Sequence, residues 1–403
     1  MPYAVVAMAM LGIAIRPRGF PAWASASLGA ILVVVLGYES IGAAAGAVAQ
    51  QWNVLLFILG LMGLSTAADQ SGAFEWIARA LTVYAGGSRR RLFVLLFLGG
   101  AALTAVLSND ATAIVFTPIV YRTVAKRVDD VLPFLFGCTF VADTASFGLP
   151  FSNPANILVL PRPHVLEYLW HLGPPQLVAI AINLLVFLAV FRTRLRGRYP
   201  VEEGLELRPA ARRTLAALAC VAVAYGAALY FDWPLGPVAA AGAVLTLAVA
   251  RVAPADAARR VNWGTFVLLG GLFAMLDPIA RGGFIAWASA QLESAAHHGA
   301  LAAIAAAAAG SAILSTVLNN LPVAVASSYV VAHSGSQTLA YPLIAGIDLG
   351  PNLTLSGSLA TILWLGVLRE RGIRVSALEY ARLGALVVPP TLLVNVLWLW
   401  ALR

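Results

Sequence analysis

Ser108-Asn109-Asp110, inside LSNDATAIVFTPIV (residues 107–120), is the stretch on which the fold turns. Three polar residues stand in the middle of an apolar run covering 92–121. A second run, 300–332, carries Asn319-Asn320 at its middle, inside STVLNNLP (315–322). Two further segments are interrupted. The one at 131–160 is broken by Asp143-Thr144 and again by Pro150, Ser152, Asn153 and Pro154; the one at 339–368 carries Asp348. Asn153 precedes a proline and is biased away from helix. Polar, broken backbone at membrane depth is tolerated only where it is lined by protein or a cavity.

The surrounding sequence makes membrane depth the right frame. Of 403 residues, 61% are hydrophobic and 11% charged, and the mean hydropathy is +0.85. Soluble domains carry about 25% charge. Apolar segments long enough to span, or nearly so, recur from end to end, which excludes a sizeable soluble domain. The net charge of +8 lies in short loops, a topogenic pattern, so nucleic acid is not the expected partner. Residues 1–15 lack a basic leader and a cleavage site and read as a first span. Cys138 and Cys220 lie in apolar runs as small hydrophobes. No metal-ligand cluster and no P-loop occurs, so no cofactor is expected and energy must come from an ion gradient or a separate subunit.

The chain repeats itself. At an offset of 211, Trp52 maps to Trp263, Gly60-Leu61 to Gly271-Leu272, Gly72 to Gly283, Trp76 to Trp287 and Asn109 to Asn320. Further on the offset is 205: Asp143 maps to Asp348, and Ala155 with Ile157-Leu158 to Ala360 with Ile362-Leu363. Single Gly or Leu matches are cheap in an apolar chain. Two Trp pairs, an Asn pair and an Asp pair in order are not.

Loop charge orients the halves. Run 92–121 has Arg89-Arg90-Arg91 before it and Arg122, Lys126 and Arg127 after it. Basic loops stay cytoplasmic, so 92–121 predicts a re-entrant hairpin entering from inside. Run 300–332 is flanked by Glu293, His297, His298 and His333 and predicts a hairpin from outside. The Arg-bearing loops at 192–198, 208–213, 251–260 and 369–382, with Arg16 and Arg18, fall inside; Arg162 and Arg281 are exceptions. The expectation is an all-α polytopic membrane protein of about ten spans plus two hairpins. It would comprise two inverted repeats, 1–200 and 201–403, with helices broken at mid-membrane (131–160 and 339–368) and both termini outside. Inverted repeats with discontinuous helices characterise secondary transporters.

Intramembrane carboxylates are costly, at least about 2.5–3.5 kcal/mol each on insertion scales. Asp110, Asp143 and Asp348 are therefore candidates for proton coupling. For Asp110 the alternative is a half-helix cap. Asn109, Ser152, Asn153, Asn156, Asn319, Asn320, Thr354 and Ser358 form a polar neighbourhood suited to a small polar solute or hard cation, as substrate-binding candidates. Asn352 and Ser356 read as backbone satisfaction. Asp69 and Asp277 end related spans, with Asp69 a candidate gate. Glu75, Trp76 and Trp287 read as interfacial belt residues. Histidines 164, 171, 297, 298 and 333 read as loop residues.

Motifs in order along the chain carry a resemblance: PRGFPAWASASLGAIL, DQSGAFEW, LSNDATAIVFTPIV, FVADTASFGLPFSNPANIL, STVLNNLP and IDLGPNLTLSGSLATILWL. Together they resemble the bacterial arsenite/antimonite efflux permeases (ArsB type), within the wider ion-transporter superfamily, from about residue 16 to 380. The resemblance implies export of trivalent arsenic or antimony hydroxide in exchange for protons across the inner membrane, in some members with a soluble ATPase subunit. By motif it implicates Asn109, Asp110, Asp143, Asn153, Asn320 and Asp348. Many members have Cys just before the last motif's Asp, where this chain has Ile347, so thiolate capture of arsenic is not expected. Two rival readings stand. A sodium/proton antiporter or sodium-coupled anion symporter of the superfamily is disfavoured because those symporters carry Ser-Asn-Thr at both hairpin tips. A membrane-embedded enzyme would need a nucleophile and base, and no such pattern occurs.

Overall fold

The computed structural model describes residues 2–15, 20–201, 206–275, 283–334 and 336–403. Arg16, Arg18, Asp277 and Arg281 lie outside the described residues. Among the described residues the only β-type pairing is an isolated bridge between Ser88 and Arg198. In lipid the backbone must satisfy its own polar groups, which a helix does within one segment.

The helices, in order, are α1 (Pro2–Ile15), α2 (Ala22–Val35), α3 (Ile41–Gln50), α4 (Trp52–Gln70), α5 (Ala73–Tyr84) and α6 (Arg89–Val106). Next come α7 (Asn109–Ala111), a π-helical turn Thr112–Phe116, α8 (Thr117–Ala125), α9 (Leu132–Thr144), α10 (Pro154–Val159), α11 (Val165–Val190) and α12 (Pro209–Tyr230). The rest are α13 (Leu235–Ala250), α14 (Pro254–Arg260), α15 (Trp263–Ala274), α16 (Phe284–His297), α17 (Ala300–Leu318), α18 (Asn320–Ser334), α19 (Ala340–Leu349), α20 (Leu359–Arg369) and α21 (Ala377–Ala401). Five of these, α4, α11, α12, α17 and α21, are long and apolar enough to cross a membrane alone. The others are shorter or broken.

The expected hairpin at 92–121 is α6 followed by α7–α8. Its two ends meet: Arg89 Nη2 lies 3.1 Å from Asp129 Oδ2. Asp130 next to it takes two hydrogen bonds from Arg194, one of them 2.8 Å from Nη2. The π-helical turn has a local cause. Pro118, at the start of α8, cannot donate to the carbonyl one turn back, and the ladder slips there. The expected hairpin at 300–332 is α17 followed by α18. Gly72 and Gly283 start α5 and α16 at φ of +77° and +70°, left-handed values open to glycine at little cost.

Close approach fixes two helix pairs. On α4 a Cβ at Gly60 would stand 2.5 Å from Ala239 C. On α19 a Cβ at Gly346 would stand 2.2 Å from Ala308 O of α17. Small residues let backbones meet where no hydrophobic force separates helix from lipid. Around the first break, Phe140 packs at 4.8 Å on Tyr380 and 5.1 Å on Phe187 (centroid distances). Trp364 is fully buried and donates to Leu135 O at 3.0 Å. These rings join α9, α11, α20 and α21 beneath the polar centre.

Candidate functional site

Each half contributes a hairpin tip and a helix break, and tip meets break through one backbone bond. Asn109 N donates to Ser152 O at 3.2 Å; Asn320 N donates to Gly357 O at 3.0 Å. The tip residues before them, Ser108 and Asn319, hold φ of +150° and +82°. Such values cost a non-glycine residue about 1–3 kcal/mol. The chain turns sharply there, and the local polar side chains tie it down. Ser108 Oγ accepts from Ala111 N at 3.3 Å. Asn319 Nδ2 donates to Ser356 O at 3.1 Å. Ser108 is thus the cap of the half-helix, and Asp110 is not.

Asp143 and Asp348 end α9 and α19. A helix C-terminus repels a carboxylate, yet both are 1% exposed. What holds each is the start of the other half's second half-helix. Ser358, the N-cap of α20, donates to Asp143 Oδ2 at 3.2 Å, and Thr361 one turn on donates at 3.3 Å. Asn109 adds a longer bond to Asp143 Oδ1 at 3.4 Å. In return Asn153, the N-cap of α10, donates to Asp348 Oδ1 at 2.7 Å. Ser146 Oγ donates to Asp348 Oδ2 at 2.8 Å. Each break therefore caps its own half-helix and binds the opposite carboxylate. Among the described residues, neither carboxylate has a salt-bridge partner; their donors are neutral Asn, Ser and Thr.

A family model described as citrate transporter (CitMHS) matches residues 6–347. The chain belongs to that family. Its relatives include the arsenical pump membrane protein of Yersinia enterocolitica, 31% identical over 94% of this chain and 93% of that one. The arsenical pump membrane protein of Escherichia coli strain K12 is 28% identical with the same coverage. In structure the chain resembles the YdaH transporter of Alcanivorax borkumensis, with a TM-score of 0.58 and 13% identity, over 89% of this chain and 86% of that one. The family and these relatives are membrane transporters, not enzymes. This chain is a multi-pass transporter that groups with the arsenical pump membrane proteins.

Within this transporter the structure sorts the sequence candidates. Asn109, Asp143, Asn153, Ser358 and Asp348 share hydrogen bonds at the centre. Asn320 and Asn319 hold the second tip to the second break. Ser152 and Asn156 brace the first break instead: both donate to Ser146 O and Leu149 O. Thr354 donates to Thr316 O of α17 at 2.8 Å, away from both carboxylates. Asp110 is half-buried and lines a cavity of about 250 Å³ with Ser108, Pro154 and Asp69. No hydrogen bond reaches its carboxyl among the described residues. Asp69 pairs with Arg260 at 2.9 Å.

Three contributors escaped the sequence reading. Ser146 and Thr361 bind the carboxylates but look like ordinary small polar residues in apolar segments. The offset of 205 that pairs the aspartates also pairs Asn156 with Thr361, which marks Thr361 in the sequence. Asn352, read as backbone satisfaction, bridges the two breaks, donating to Phe140 O at 3.2 Å and Thr144 Oγ1 at 3.1 Å. Three of the expected loop histidines lie in helices: His171 in α11, stacked on Tyr341 at 4.2 Å, and His297 and His333 in the last turns of α16 and α18.

Proposed function

We propose that this transporter exports trivalent arsenite or antimonite in exchange for protons, by alternating access of a site between the two helix breaks. The observation that carries the reading is the donor set of Asp143 and Asp348: two buried carboxylates held only by neutral donors. A carboxylate with no cation beside it is the group that can take up and release a proton during transport. Arsenite near pH 7 is a neutral trihydroxide, which offers O–H donors to carboxylate and amide oxygens. An anionic carboxylate substrate such as citrate would instead call for Arg or Lys in the centre.

The same reading takes the halves as inverted repeats, 1–200 and 201–403. The paired tip-to-break bonds, at offsets of 211 and 205 from one another, support it. So do the left-handed starts at Gly72 and Gly283. With basic loops inside, the first hairpin enters from the cytoplasm, the second from outside, and both termini lie outside the cytoplasmic membrane. Asn109, Asn153, Asn320 and Ser358 would contact the solute, and Asp143 and Asp348 would carry the protons, with Asp110 facing the first hairpin's cavity.

The test is uptake by everted vesicles bearing the protein. Energised vesicles should accumulate arsenite, and an uncoupler should abolish it. Uptake that ignores the proton gradient and follows sodium would replace this reading with that of a sodium-coupled transporter. Uptake of citrate with no uptake of arsenite would replace the cargo.

A further inference from the structure

The cavity beside Asp110 has a rim and a floor. Helix α4 lines it from Ile58 to Asp69, a length of roughly 16 Å at the rise of an α-helix. At the Asp69 end the side chains are partly exposed, 26% for Asp69 and 49% for Arg260. At the other end Ser108 is buried. The mouth therefore lies at Asp69, Arg260 and Asn262, and the first hairpin tip forms the floor.

The mouth is crossed by an ion pair between separate elements. Asp69 sits in the last turn of α4, where the helix dipole opposes a negative charge. Arg260 is the last residue of α14, where the dipole favours a positive one. Arg260 Nη1 reaches Asp69 Oδ2 at 2.9 Å. The geometry points to Arg260 as a positioning residue of the transport reaction: by holding Asp69 across the rim it closes this mouth. A solute from that side reaches Asp110 only when the pair parts. The inference rests on the transport reading above. A partly exposed pair shifts an open–closed equilibrium by no more than about fivefold. A gate must open in every cycle, and a bond of that strength suits it.

The test reads the cavity directly and needs no cargo. Ile114, which lines the cavity below the pair, is replaced by Cys, with Cys138→Ala and Cys220→Ser as background. Ala255→Cys, exposed on α14, serves as the control in a parallel protein. Membrane vesicles of both orientations are treated with an impermeant maleimide, and Ala255→Cys identifies the orientation that presents this face. There, Arg260→Gln and, independently, Asp69→Asn should speed labelling at position 114 by up to about fivefold, with labelling at 255 unchanged. Arg260→Lys should stay near the parent rate. The exchange Asp69→Arg with Arg260→Asp should return to it. Equal labelling at 114 in parent, Arg260→Gln and Asp69→Asn would overturn the inference, as would a charge exchange that labels as fast as the single variants. Failure of arsenite uptake, with labelling that still follows the pair, would remove the export reading and leave the gate standing.

Discussion

Asn153 donates to Asp348 Oδ1 at 2.7 Å, across 195 residues of chain. The same side chain accepts from Ala155 N at 3.0 Å through its Oδ1, so one amide caps α10 and binds the opposite carboxylate. The two roles separate by substitution. Asn153→Ser keeps an acceptor for the cap and is too short to carry the donor to Asp348. A charged hydrogen bond removed from a buried carboxylate costs about 1.5–3 kcal/mol, so transport should fall roughly tenfold or more while the protein still inserts and binds detergent as the parent does. Ser358→Ala should weaken Asp143's hold less, because Asp143 keeps Asn109 and Thr361. It also removes the α20 cap, where Ser358 Oγ accepts from Thr361 N at 2.9 Å, so it should lower the unfolding temperature too. Initial rates in vesicles and thermal unfolding in detergent measure both. Parent-like transport by Asn153→Ser would show that this bond is not used.

Asp143→Asn and Asp348→Asn test the proton role. Each replacement keeps the shape of the side chain and removes its proton chemistry. If the pair couples transport to protons, each variant should lose accumulation against a gradient and lose most of the pH dependence of transport. Downhill exchange of cargo should survive better than accumulation. Transport rates across several pH values decide it. A pH profile unchanged in both variants would remove them as carriers.

Much of this centre is legible in the sequence because lipid makes polar residues expensive. An Asn or Asp in an apolar run is conspicuous, so both tips and both aspartates stand out. The crossing is not legible: that Asn153 serves Asp348 and Ser358 serves Asp143 depends on how two distant breaks face each other. The tip conformations are hidden as well, since neither Ser108 nor Asn319 announces a positive φ. The broken segments appear where proline and polar clusters predict them. Helix α3, ten residues of mostly Ala and Gly (IGAAAGAVAQ), is apolar but too short, and its side chains too small, to stand out as a segment. Partners of surface charges, such as Arg260 for Asp69, are set by tertiary packing and leave no local trace.

Asp130, in the loop after the first hairpin, has its own pH signature. Burial raises its carboxyl, but the Arg194 hydrogen bonds and charge, with the Leu132 N–H at 3.2 Å, outweigh that and hold it below the usual range. A depressed carboxyl stabilises the folded state above its unfolded value, near about 3.9. That contribution disappears as pH falls through the folded value. Asp130→Asn should therefore cost up to about 1 kcal/mol at pH 7, given the exposure of the pair, and the same at pH 6. The difference from the parent should close only below about pH 4. Thermal unfolding in detergent across that range checks it. A gap that does not narrow at all as pH falls below about 4 would mean the anchor does not depend on the charge of Asp130.

Gly346 lies two residues before Asp348 and tests whether packing sets the site. A Cβ there would stand 2.1 Å from Ser311 Oγ and 2.2 Å from Ala308 O. The hydroxyl can rotate away; the carbonyl belongs to α17 and cannot. Gly346→Ala should therefore force α17 and α19 apart, at a cost of about 1–3 kcal/mol. The shift also moves Asp348 off Asn153 and Ser146, so transport should fall with stability. Gly310, on α17 itself, is the control, because nothing lies within 4 Å of its added Cβ. Gly310→Ala should be neutral or slightly stabilising, since alanine favours helix over glycine by about 1 kcal/mol. Unfolding temperatures and vesicle rates for the pair give the answer. Equal behaviour of the two alanines would mean that the α17–α19 contact neither limits stability nor positions Asp348.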